Sequence, residues 1–403
     1  MTADRGRPAS GPRDRDALIT GIGLVSCLGE GVDAHWAALN DFKPVVDSDS
    51  FAPYLVHPMA ALALDKQIPK RGDQRQMEAW QRIGVYAAGA ALESAGVKGN
   101  AELLGRMDMI VAAGGGERDY AVDAAILSAL PRQEDQGTFL NERLLGDLRP
   151  TLFLAQLSNL LAGNISLVHG VVGSSRTFMG EEAAGADAVR IARTRIAAGQ
   201  GDIFLVGGSY NAQRPDVLLH YEMGHLLWKH GFAGVWERQS SGGGMLLGSL
   251  GCFLVIESRA HAQARGANAL AQVSAIQSER CRRAPGEATA NAKRQIWALS
   301  ESLDSATTAV ISGASGVEAA TAEEQALLRD LGLPVRGTSS AFGHTLEPAF
   351  PANVALAAMA VSRGALFGPL DSTETAMTGT LRQALVTGWG HWRGEAMALI
   401  TPA

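Results

Sequence analysis

Three times in the first half of this chain a short apolar run gives way at once to small residues. Residues 17–20 lead into Gly21-Ile22-Gly23, residues 107–113 into Gly114-Gly115-Gly116, and residues 203–206 into Gly207-Gly208. Each pattern predicts a strand that ends in a glycine turn. Between these runs lie longer, Ala-rich segments at helical spacing, with helices expected over 152–162 and 182–198, the second closed by Gly199 and Gly201. Strand-length apolar runs alternating with amphipathic helices are the grammar of an α/β protein. Residues 251–257 read as a further strand, followed by a polar helix over 258–265. From Asn268 the grammar repeats: strand 270–276, helix 291–303, strand 308–312, helices 323–331 and 352–362, then strands 384–387 and 395–401. Two halves with one order of elements imply a pseudo-duplicated fold. The expected division is a loose tail over 1–16, a first half over 17–257 and a second half over 258–403.

The 403 residues are enough to bury a sizeable core, and the 47 glycines call for many tight backbone turns. A net charge of −6 gives no reason to expect a nucleic-acid partner. No apolar run reaches the roughly 18 residues that would span a membrane. Residues 1–16 mix Arg, Asp, Gly and Pro without an apolar core, which is unlike a secretory signal and fits a tail on a cytoplasmic protein. Cys27, Cys252 and Cys281 are too few and too scattered for a disulfide framework or a zinc site. Cys252 sits in an apolar strand, where cysteine behaves as a small hydrophobe. Neither Cys27 nor Cys281 has a base beside it to lower its pKa. Gly21-Ile22-Gly23 alone is too weak for a dinucleotide fingerprint, and no metal or cofactor is expected.

Six blocks occur in order along the chain. They are residues 18–26 with Gly29 and Trp36; residues 159–166; residues 185–208, passing through Gly199-Gln200-Gly201-Asp202; residues 235–267, from Val235-Trp236-Glu237-Arg238 to Ala264-Arg265-Gly266-Ala267; Gly343-His344; and Gly388-Trp389-Gly390. Together they resemble the elongating β-ketoacyl-acyl-carrier-protein synthases. The resemblance implies a thiolase fold with two βαβαβαββ halves in α-β-α-β-α layers, and usually a dimer. It also implies a site. In active relatives a cysteine at a helix start takes the acyl chain as a thiolate, and two histidines from the second half promote decarboxylation and stabilise the enolate oxyanion.

Counted back from Gly207-Gly208, the family's nucleophile position falls on Glu182. A carboxylate there is a poor acceptor for transthiolation, and its acyl anhydride would be too labile to hold a growing chain. Glu181 and Glu182 also suit an ordinary acidic helix start. The first family histidine falls on Ser312, the family lysine on Ser339, and only the second histidine survives, as His344. Trp389 stands at the gating phenylalanine, and His391, Trp392 and Arg393 replace small or uncharged residues, so bulk and charge should fill the space an acyl thioester needs. No catalytic residue is therefore expected.

The resemblance then implies a chain-length-factor-like subunit that pairs with an active β-ketoacyl synthase as a heterodimer, shapes its acyl tunnel and meets the acyl carrier protein through that partner. The interface helix should fall within 117–130, with Tyr120, Ile126 and Leu130 reaching the tunnel, although plain core packing explains them equally well. Two alternatives stand beside it: a malonyl-carrier-protein decarboxylase that makes primers, against which Ser312 argues, and a homodimeric acyl-binding or scaffold protein.

Overall fold

The computed structural model describes residues 12–403. The first half of the chain carries β1 (Ala17–Ser26), β2 (Gly29–Glu30), β3 (Val56–His57), β4 (Asp108–Ala112), β5 (Ser175–Phe178), β6 (Ile203–Tyr210), β7 (Leu247–Gly248) and β8 (Leu250–Ser258). The second carries β9 (Ala271–Glu279), β10 (Thr308–Ser312), β11 (Val335–Gly337), β12 (Gln383–Trp389) and β13 (Glu395–Thr401). Ten of these form one hydrogen-bonded path in the order β11-β10-β12-β13-β9-β1-β8-β6-β4-β5, with β2 attached to β1. The halves meet where Leu18 and Ile19 of β1 pair antiparallel with Gln272 and Ala271 of β9.

Helices Glu182–Ala197 and Ala349–Arg363 pack against each other and against strands of both halves. Every residue from Ala349 to Val361 is buried, as a helix flanked on all sides requires. Helices Ala79–Ser94 and Leu160–His169 cover the outer face of the first half, and Glu287–Leu299 and Glu318–Leu331 that of the second. The layers therefore run α-β-α-β-α, the thiolase-type α/β fold that the resemblance implies. The inner core joins both halves through Ile19, Leu24, Ile196, Phe204, Val354 and Val386.

Several expectations change. Gly21-Ile22-Gly23 is no turn, because β1 runs straight through it. A Cβ on Gly23 would come within 1.9 Å of the Ala87 carbonyl oxygen, so the glycine serves close strand–helix packing. Likewise β6 continues through Gly207-Gly208 between β4 and β8. The helix expected over 152–162 is two pieces, Leu152–Ala155 and Leu160–His169. Of the expected tail, residues 1–11 lie outside the described residues. Pro12–Arg15 forms a 3₁₀ turn, and Arg15 and Asp16 pair with Asp202 and Arg259 at 3.0 and 3.2 Å. Those partners are distant in sequence, so local composition does not reveal the ordering. Among the described residues, no helix is long and apolar enough to cross a membrane.

Candidate active site at the head of the inner helix

The inner helix Glu182–Ala197 begins on a sharp corner. Glu181 has φ 58° and ψ −135°, a region that a side-chain-bearing residue rarely adopts and that clusters at functional sites. One turn on, a Cβ on Gly185 would lie 2.3 Å from the Glu347 carbonyl oxygen and 2.7 Å from Pro351 Cδ, so the helix start presses directly onto the segment that carries His344. The corner turns Glu182 inward, and its side chain is 4% exposed. An ordinary acidic helix start faces water, so that reading of Glu182 is corrected.

Glu182 Oε1 accepts from His344 Nε2 at 2.7 Å, from His391 Nδ1 at 2.8 Å and from the His391 backbone N–H at 3.2 Å. Its Oε2 is buried without a hydrogen-bond partner among the described residues. Burial opposes ionisation of Glu182, but the charge of His391 and the hydrogen bonds from both histidines outweigh it and hold the carboxyl well below the usual range. Burial likewise disfavours the His391 imidazolium, yet Glu182 beside it pushes its pKa up to about 9. His391 sits in the turn between β12 and β13, packed edge-on to Tyr221 at 5.7 Å, and its Nε2 lies 3.6 Å from Glu181 Oε2. Burial raises the Glu181 carboxyl above its ordinary value and lifts Glu347 to about 7.

The structure joins Glu182 to His344 but draws the other sequence candidates elsewhere. Ser312 donates to Glu324 Oε1 at 2.7 Å, where Thr387 also donates at 2.6 Å. Ser339 donates to the Ala314 carbonyl. Trp389, the last residue of β12, is buried in the second-half core with Leu385 and Met397. Of His391, Trp392 and Arg393, expected to fill the site, His391 alone contacts Glu182. Trp392 is 66% exposed, and it lines with Arg393 the rim of a cavity of about 590 Å³ beside Glu181, Glu347, Tyr210 and His220. The sequence marks His391 only as added bulk and charge. Its signal was a histidine in a glycine-rich turn, and the pairing with Glu182 spans 209 residues of sequence.

The expected interface helix is Tyr120–Ala129. Tyr120 and Ile126 line an apolar groove of about 660 Å³ with Leu127, Leu140, Leu219 and Met223, whereas Leu130 is not in its wall.

Residues 14–262 match the family model for the N-terminal domain of β-ketoacyl synthases. A 3-oxoacyl-[acyl-carrier-protein] synthase 2 from Vibrio cholerae serotype O1 is 23% identical over 272 residues, 64% of this chain and 62% of that protein. The match thus spans less than two thirds of that relative's length. Among solved structures, the ishigamide ketosynthase/chain length factor superposes with a TM-score of 0.77 at 18% identity, covering 96% of this chain and 99% of that one. A ketosynthase of a type II polyketide system in complex with its acyl-carrier protein gives 0.72 at 17% identity, covering 96% of this chain and 100% of that one. At such identities the likeness establishes the fold.

Proposed function

The chain belongs to the β-ketoacyl synthase family, and from that premise we propose that it is a non-catalytic, chain-length-factor-like subunit that pairs with an active β-ketoacyl synthase. The observation that carries this reading is the buried Glu182 carboxylate, whose Oε1 accepts from two histidines and a backbone amide and which, by the count along the chain, we assign to the family's nucleophile position. An ionised carboxylate held in this way has little nucleophilicity, and its acyl anhydride would hydrolyse rather than wait for malonyl transfer. Ser312, at the first histidine position, is engaged with Glu324 and supplies no oxyanion donor to Glu182.

Two surface features favour a partner. Among the described residues strand β5 ends the sheet, paired with β4 on one side, and an open edge of this kind is a template for pairing. Val172 and Met179, which flank β5 in sequence, and Phe153, Leu154 and Leu167 of the same half are exposed, and exposed apolar side chains favour an interaction surface. The groove with Tyr120 and Ile126 opens on the same half of the chain and would lie against a partner's tunnel. The acyl carrier protein would then be met through that partner.

Co-expression with candidate synthases tests the proposal. A heterodimer should co-purify, and Tyr120→Trp or Ile126→Trp should shift the product's chain length. The purified chain alone, given acyl- and malonyl-carrier proteins, should form no elongated product and release no CO₂. Elongation by the chain alone would overturn the reading, and a stable homodimer that ignores every synthase would favour an acyl-binding scaffold.

A further inference from the structure

We propose that Glu182, His344 and His391 form a binding site for a divalent transition metal, with zinc the best chemical match. The inference does not depend on the pairing function above. The ligand atoms of these three residues all lie within 4.8 Å of one another. Tetrahedral zinc with bonds of roughly 2.0–2.2 Å places neighbouring ligand atoms about 3.3 Å apart. The separations of 2.7 and 2.8 Å between Glu182 Oε1 and the two imidazole nitrogens need to open by about half an ångström, and the two imidazole nitrogens, within 4.8 Å of each other, need to close by at most about 1.5 Å. Rotation of the carboxylate and the two rings is the motion that would bring the three donors to one ion.

Two further observations point to a ligand. Glu182 Oε2 and His344 Nδ1 are both buried without a hydrogen-bond partner among the described residues, and a buried carboxylate oxygen left bare is costly. A bound cation would engage the carboxylate. Beyond the three ligands, Glu181 Oε2 stands 3.6 Å from His391 Nε2. A carboxylate behind a metal-bound imidazole fixes the ring's tautomer and orientation, and the corner at Glu181 places it there. Two imidazoles and one carboxylate, with no thiolate among them, are the donor set of sites that bind zinc and leave a position for water. Binding would displace the protons now shared with Oε1.

The test uses the full chain, stripped by dialysis against a chelator and titrated with Co²⁺ as a spectroscopic probe and with Zn²⁺ in competition. The wild-type chain should bind one equivalent of Co²⁺ with visible d–d absorption that Zn²⁺ abolishes. Glu182→Gln and His391→Gln, each checked for native near-UV dichroism, should weaken binding by at least tenfold, and Glu181→Gln by about tenfold. Absence of the visible band in the wild-type chain, which requires no variant to fold, would overturn the site. So would binding that both folded ligand variants retain at full strength.

Discussion

A buried carboxylate stays ionised only where something nearby compensates for lost water, and Glu182 and Glu324 show the two outcomes. At Glu182 an imidazolium and three donors provide the compensation. Removing one partner of such a pair strands the other charge, so Glu182→Ala should cost about 3–5 kcal/mol of stability, read as a lower urea midpoint. At Glu324 the Ser312 and Thr387 hydroxyls and the charge of Arg283 do not offset burial, which lifts its pKa to about 7. A carboxyl whose folded pKa lies above its unfolded value near 4.3 contributes stability below that value and loses it as pH rises through about 7. Glu324→Gln removes the ionisation. Its stability relative to the wild-type chain should therefore improve by roughly 1–3 kcal/mol between pH 5 and pH 8, measured by urea unfolding at both. An unchanged difference at the two pH values would show that Glu324 does not titrate in that window.

The two inner helices set the geometry of the site through contact, not through their own helix preference. Helix Glu182–Ala197 reaches its position because Gly185 admits the Glu347 carbonyl and Pro351. Gly185→Ala must push the Glu347 backbone aside, and overpacking of this kind costs about 1–3 kcal/mol. Unfolding should show a lower midpoint with an unchanged urea slope, which separates a packing fault from a change in cooperativity. At the other end of the sheet, β5 has four residues, of which Ser175 and Arg176 are exposed.

The whole molecule combines an interior that joins its two halves with large apolar side chains left exposed on the first half. Leu167 is 81% exposed and Phe153 68%, and neither belongs to the clusters that make up the cores. Charged substitutions there should leave folding intact and act on association alone. Leu167→Glu combined with Phe153→Glu should keep the melting temperature within a few degrees while abolishing co-purification with a synthase partner. Retained co-purification would place the interface elsewhere on the chain.

Read residue by residue, the sequence by itself determined the α/β alternation, the repeat of one order of elements and the family. Strands 308–312 and 395–401 coincide with β10 and β13, because apolar runs bounded by turn residues are local signals. The proposed placement of Glu182 at the nucleophile position comes from the same kind of reading, since it needs only a count along the chain. The strand that passes through Gly21 and Gly23, the pairing of Glu182 with His391, and the withdrawal of Ser312 toward Glu324 came only from the tertiary structure. Each depends on what another segment, tens to hundreds of residues away, brings into contact, and no local pattern encodes whether a glycine faces a helix or a histidine faces a buried acid.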